Sequence, residues 1–466
     1  MSHQDANVVG IRLKGKCLQV ALQSLLAGVN WSNIRFRDDC TWTPRLLAAT
    51  ALLWAWSDES TLVDRFTTVR SIIVFIFSLQ RQLAESYQAF LKMLVRWTDR
   101  LVSAIRQTLQ ERLPRQFADC WSLYGFIPFG GDGSRVELPR TQSNEQAYSA
   151  ARKSKPRKKK SASRKHRKQA HSRKANSPQM WLTTLWHIGT GLPWNWRSGP
   201  ADSSERAHLL DMLGSLPAQA LIVADAGFVG YEFARAILDS GRQLLIRVGS
   251  NIRLLRHLGC ARESGSTVYL WPNTAARQDC PPLVLRLVVV HNGKHPVYLV
   301  TSVLSERRLS DTQVVELYRR RWGIELFYRH LKQTFQKRKL RSASSANARV
   351  ELEWSMLGLK AMGFYALIEA RRMGTAPARL SVAGILKAYR RTMRDYRHPA
   401  EHGWRLCRIL RTAIIDSYVR PNKSSRHYPR KKQESPPGCP KINDATQQQI
   451  ERAKAFANII RKGLTA

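Results

Sequence analysis

"YRRRWGIELFYRHLKQ", residues 318–333, sets one acid, Glu325, among Arg319, Arg320, Arg321, Arg329 and Lys332. At helical spacing Tyr318, Arg321, Glu325 and Lys332 share one sector about 60° wide. Leu317, Ile324, Phe327, Tyr328, Leu331 and Phe335 form the stripe beside it. The pattern predicts a helix with its apolar flank on a sheet and its four polar residues along the rim. An Arg321–Glu325 pair on a wet face is worth about 0.3–0.5 kcal/mol. That pair accounts for the two charges, but not for a tyrosine and a distant lysine in the same sector.

The helix is predicted to run unbroken through "SDTQVVELYRRRWGIELFYRHLKQTF", capped by Ser310 with Asp311 in its first turn. Upstream, "YGFIPFGGDGSRVELP", "QMWLTTLWHI" and "LPWNWRSG" read as strands, the last two around a "GTG" turn. "SSERAHLLDMLGSL" is a helix beginning near Ser204 and Glu205, "ALIVADAGF" a short strand, "YEFARAILDS" a helix and "QLLIRVG" a strand. The order β–β–β–α–β–α–β belongs to an α/β fold. "LVLRLVVVHNGKHPVYLVTSV" is a hairpin turning at His291-Asn292-Gly293-Lys294. Residues 40–113 are helical, with Thr43 and Pro44 as cap and first turn. Their basic positions Arg65, Arg70, Arg81, Lys92, Arg96 and Arg100 are expected on the surface. "VELEWSMLGLKAMGFYALIEARRM" is a second, more apolar helix. Beyond about residue 375 come helical pieces, a Pro/Lys/Ser linker and a closing amphipathic helix.

The 466 residues carry a formal charge of +42 and 43% hydrophobic residues. That is enough apolar material for a packed core. The charge excess attracts polyanions, with nucleic acid foremost. The run at 152–174, "RKSKPRKKKSASRKHRKQAHSRK", reads as a solvated, non-specific phosphate binder. Seven scattered cysteines without a CxxC pair argue for a reducing compartment and against a zinc module. No apolar run approaches the ~20 residues of a membrane span. "GIRLKGKC" at 10–17 places Cys17 where a phosphate-binding loop needs Ser or Thr, so no nucleotide cofactor is expected.

Two further acids stand out. Asp132 sits between glycines on the first strand, and Asp225 ends the strand "LIVAD". Acids at strand ends of open α/β sheets face the ligand crevice. An Asp before Gly is also common in turns, so neither position decides alone. Together with Glu325 they place three acids on a first strand, a fourth strand and a late helix.

That order resembles the catalytic core of DDE transposases. Tyr318-x2-Arg321-x3-Glu325-x6-Lys332 matches the YREK signature of a large group of bacterial insertion-sequence transposases. "DGS" at 132–134 and "DAGF" at 225–228 are similar to that group's first and second acid motifs. The resemblance covers roughly residues 120–370. It implies an RNase H-like mixed five-stranded sheet flanked by helices, with a β-rich insertion before the glutamate helix. It implies a helical DNA-end-binding domain at 1–118, a catalytic core at 119–250 and 306–374, an insertion at 251–305, and a helical region at 375–466 for dimerisation or DNA contact. It implies Asp132, Asp225 and Glu325 as catalytic ligands of two Mg²⁺ ions, with Mn²⁺ able to substitute, and Tyr318, Arg321 and Lys332 as phosphate contacts. The partners implied are double-stranded DNA, both element inverted repeats and target, and a second copy of the chain, all in the cytoplasm of a prokaryote. The implied reaction is hydrolysis at the element end followed by attack of the freed 3′-OH on target DNA. Tyr269, Trp271 and Tyr298 are open candidates for stacking on a flipped base. The alternatives are an inactive or domesticated DNA-binding relative and a metal-dependent nuclease without strand transfer.

Overall fold

The computed structural model describes residues 17–79, 83–150, 177–291, 295–397, 405–415 and 438–460. The basic run 152–174, the loop at 10–16, Arg81, the turn residues 292–294 and most of the C-terminal linker lie outside these.

A ten-stranded mixed sheet forms the backbone of the fold: β1 (Ile127–Glu137), β2 (Gln179–His187), β3 (Leu192–Gly199), β4 (Ala220–Ala224), β5 (Gln243–Val248), β6 (Arg253–Arg256), β7 (Thr267–Leu270), β8 (Leu283–His291), β9 (Pro296–Thr301) and β10 (Lys441–Asp444). Its order is β10-β6-β7-β8-β9-β5-β4-β1-β2-β3. The five strands expected from the sequence are adjacent, in the order β3-β2-β1-β4-β5. They do not complete the sheet, however. The insertion strands continue it, because β9 pairs antiparallel with β5 (Leu245 opposite Thr301) and leaves no free edge there. β8 and β9 form the expected hairpin, in register from Arg286–Thr301 to His291–Pro296.

Burial explains the strand chemistry. β4 is the apolar run Ala-Leu-Ile-Val-Ala, buried at every position and paired in parallel with both β1 and β5, as a central parallel strand requires. β10 was not legible: its four residues, Lys-Ile-Asn-Asp, are mostly exposed and add in parallel to β6 at the far edge.

Helices cover the sheet. α1 (Pro44–Trp56) is capped by Thr43 as expected, and α2 (Leu62–Ile76) and α3 (Tyr87–Gln116) follow it. α4 (Glu205–Met212) and α5 (Tyr231–Asp239) are the crossover helices. α6 (Asp311–Arg320) and α7 (Gly323–Arg329) carry the polar sector, and α8 (Ser345–Arg372) is the second apolar helix. α8 is buried over most of its length and takes Glu351, Lys360 and Glu369 into the interior with its apolar residues. Trp56 Nε1 donates to Gly358 O (3.0 Å), Trp354 Nε1 to Thr98 Oγ1 (2.9 Å) and Trp196 Nε1 to Glu353 Oε2 (2.8 Å). One helix thus ties the N-terminal helices to the sheet, and a single apolar core runs from Leu18 to Ile460. Among the described residues no helix is long and apolar enough to cross a membrane.

Two expectations need correction. Arg65 is not a surface residue: it is 3% exposed and its Nε donates to Glu59 O. Lys92, Arg96 and Arg100 are exposed. The long helix is not continuous either. Its Ser310 cap is present, as a full capping box with Gln313, and its whole apolar stripe is buried. Yet at Arg321–Trp322 the chain tightens, with Trp322 N donating to Arg319 O (3.1 Å) and Ile324 N to Arg321 O (3.0 Å). After α7 it widens into a π turn, His330–Thr334. Between the two irregularities the helix comes close to β2: a Cβ on Gly323 would clash with the Trp186 indole.

Gly-to-Ala in an open helix is usually stabilising. At Gly323 the sign should reverse, because the Trp186 indole occupies the space a Cβ needs. Gly323→Ala is expected to cost about 1–3 kcal/mol in urea denaturation. Gly214→Ala, where a Cβ meets nothing within 4 Å, should cost nothing.

Candidate active site

Asp132 lies inside β1, opposite Thr184 of β2. β1 and β4 run parallel with Gly130 opposite Val223. Two residues further along stand Asp132, midway in β1, and Asp225, just past the end of β4, so the register itself brings the two acids level on neighbouring strands. Both make local bonds: Gly133 N donates to Asp132 Oδ1 (2.9 Å) and Gly227 N to Asp225 Oδ1 (2.8 Å).

The glycines around Asp132 make room for α4. A Cβ on Gly131 would clash with Leu209, and one on Gly133 would come within 2.5 Å of Glu205 Oε1. Glu205 and Leu209, one helical turn apart, therefore press on the strand from either side of Asp132. This brings in a fourth carboxylate that the sequence reading treated only as a first-turn acid. No local signal marks it, because the contact exists only through the crossover geometry.

The electrostatics follow. Burial, and then the charges of Asp225 and Glu205, push the Asp132 carboxyl up to about 7, against the Gly133 N–H and Arg321. Burial and Asp225 likewise raise Glu205, against Arg135 and Arg206.

The glutamate helix closes the site. Arg321, with its side chain 10% exposed, donates from Nη2 to Glu325 Oε1 (3.1 Å). Its guanidinium lies 5.4 Å from the Tyr318 ring centroid. Burial opposes its charge, but Tyr318, Glu325 and Asp225 together raise its pKa. Arg321 is thus paired with Glu325 and within electrostatic reach of both aspartates. Tyr328 OH donates to Asp132 O (2.7 Å) and Leu182 O (3.2 Å), pinning α7 to β1 and β2. Lys332 Nζ donates to Ser134 Oγ (2.7 Å).

Of the six residues singled out from the sequence, Asp132 and Asp225 thus stand on neighbouring strands, Arg321 pairs with Glu325 and faces the Tyr318 ring, and Lys332 meets Ser134 of β1. As the side chains stand, no group of three or more His, Cys, Asp or Glu among the described residues is close enough to hold a metal ion. Glu325 is turned to Arg321. The donor set still suits a hard cation, because Asp132, Asp225 and Glu325 offer carboxylate oxygens; Arg321 Nε, left without a partner, is a donor suited to an anion. The insertion aromatics serve the core. Tyr269 is 0% and Trp271 4% exposed, their polar atoms bonded to Glu263 and Cys280. Tyr298 is half-buried.

The raised Asp132 carboxyl has a consequence for stability. Its proton is held in the folded state across the interval from 3.8, its ordinary value, to about 7, while the unfolded chain has released it. Its contribution is complete below that interval and is lost as pH rises through it. Asp132→Asn, which mimics the protonated acid, should melt higher than the wild type at pH 8 in metal-free buffer. The difference should vanish at pH 4.

Residues 132–359 match a family model described as the transposase DDE domain. The match opens on Asp132 and encloses Asp225 and Glu325. The transposase InsG for insertion sequence element IS4, from Escherichia coli (strain K12), is 29% identical over 168 residues, 34% of this chain. The chain spans little more than a third of that relative, 37% of its length. Among solved structures, the piggyBac transposase synaptic complex with hairpin DNA aligns over 88% of each chain at 11% identity and a TM-score of 0.40. That likeness is too loose to set residue on residue. On sequence, residues 132–359 are similar to a transposase DDE domain.

Proposed function

We propose that this chain is a DNA transposase that cuts the ends of an insertion sequence and joins them to target DNA. The observation that carries the reading is the parallel register that sets Asp132 beside Asp225, with Arg321 paired to Glu325 and within electrostatic reach of both aspartates. The DDE match over the same acids supports it, as does the similarity to InsG. The strand order β3-β2-β1-β4-β5, with β2 antiparallel, fits an RNase H-like core extended by its insertion.

Asp132, Asp225 and Glu325 would hold divalent magnesium, the metal class that DDE transposases generally use. Bound there, the metal would stabilise charge on the scissile phosphate and lower the pKa of water. The chain's own residues do the rest. Arg321 offers a planar fork to a phosphate, with Nε free and Nη2 released when Glu325 turns inward. Lys332 supplies a point charge beside Ser134. Tyr318 backs the guanidinium with its ring face. Tyr328 holds the helix at a fixed distance from β1. The excess of +42 charges draws DNA to the surface. Two ends must be cut and joined together, so a two-fold dimer on DNA belongs to this reading.

The test is cleavage and strand transfer on paired inverted-repeat ends with Mg²⁺. Asp132→Asn, Asp225→Asn and Glu325→Gln should each slow cleavage about a thousandfold or more while leaving DNA binding within about threefold. Arg321→Ala and Lys332→Ala should lose about ten- to a hundredfold. Unchanged cleavage by Glu325→Gln overturns the assignment. Nicking without joined product would favour a nuclease.

A further inference from the structure

The stretch between the π turn and α8 is fixed by a buried ion pair. Lys337 Nζ lies 2.7 Å from Glu351 Oε1, and the two side chains are 4% and 1% exposed. The other oxygen, Glu351 Oε2, accepts from Arg341 N (3.0 Å), Ser342 N (3.1 Å) and Ser342 Oγ (2.9 Å). One carboxylate on α8 therefore holds donors spread along residues 337–342.

That segment leads directly to the candidate active site. Lys337 N and Arg338 N donate back to Leu331 O (3.0 Å) and Lys332 O (3.2 Å), closing the π turn. Glu137 N donates to Arg338 O and Leu340 N to Glu137 O, both at 2.9 Å, so the segment runs alongside the end of β1. Lys332 itself is anchored to Ser134 on that strand, two residues from Asp132. On the opposite side, Arg65 of α2 and Tyr87 of α3 are within electrostatic reach of Glu351.

Stability alone does not account for this arrangement. Burying two ions costs desolvation that their attraction often fails to return, and apolar residues of similar size do as well or better. A carboxylate does something apolar packing cannot: it fixes the direction and register of particular backbone N–H groups.

We propose that Glu351 and Lys337 are positioning residues for Lys332, setting the register of 337–342 against β1 so that the ammonium reaches the phosphate beside Asp132. This rests on the transposase reading. The test is the double variant Lys337→Met/Glu351→Gln, which removes both charges and keeps an acceptor for Arg341 and Ser342. It should bind DNA ends normally and lower the maximal cleavage rate on the order of a hundredfold, with little change in the half-saturating DNA concentration. In a Lys332→Ala background the same change should have an effect within about twofold. A wild-type cleavage rate, or a loss that multiplies fully with Lys332→Ala, overturns the proposal. If the double variant does not fold, Lys337→Arg keeps the charge, alters the reach and faces the same two outcomes. Amide exchange provides a readout independent of cleavage: the double variant should lose protection at Glu137 and Leu340 but not along β1–β2. Unchanged protection overturns the positioning claim. A wild type that cuts nothing while the exchange result holds overturns only the transposase reading.

Discussion

A carboxyl group inside a buried strand is costly to ionise, and much of this structure is arranged around Asp132. Glycines on either side let α4 come close enough to press Leu209 and Glu205 against the strand. The parallel pairing with β4 brings Asp225 alongside. Tyr328 fastens the glutamate helix to the carbonyl of the same residue. The result is a local excess of negative charge held by rigid elements, offset in part by the buried guanidinium of Arg321. Such an arrangement gains by admitting a cation, and it has little stabilising value without one.

The second organising element is α8. Buried over most of its length, it is held by the N-terminal helices through Trp56 and Thr98 and by β3 through Trp196. Through Glu351 it also reaches the loop behind Lys332.

The sequence made the core elements legible because each has a strong local cause. β4 is an unbroken apolar run, the Ser310 cap is a full capping box, and the stripe Leu317–Ile324–Phe327–Leu331 is buried as its spacing required. What escaped depends on contacts between distant segments. The break at Arg321–Trp322 lies beside an indole more than a hundred residues upstream. Arg65 looked like a surface charge because nothing nearby reveals that Glu59 O and the Glu351 cluster receive it. Glu205 was read as a helix-start acid because its neighbour Asp132 lies across the crossover. β10 has no apolar alternation at all and joins the sheet by edge pairing.

Six candidate residues were singled out by type and spacing; the register sets Asp132 and Asp225 on neighbouring strands, and Arg321 pairs with Glu325. The side chain that departs from the sequence reading is that of Glu325, which pairs with Arg321 instead of meeting the aspartates. The account requires that this pairing yield when a cation arrives. The most direct measurement is a crystal structure of the full chain soaked with Mn²⁺, with the ions located by anomalous scattering. The account predicts Mn²⁺ at the oxygens of Asp132 and Asp225, with Glu325 turned away from Arg321 to join them. Mn²⁺ bound elsewhere, or Glu325 still paired with Arg321 beside an occupied site, would contradict it.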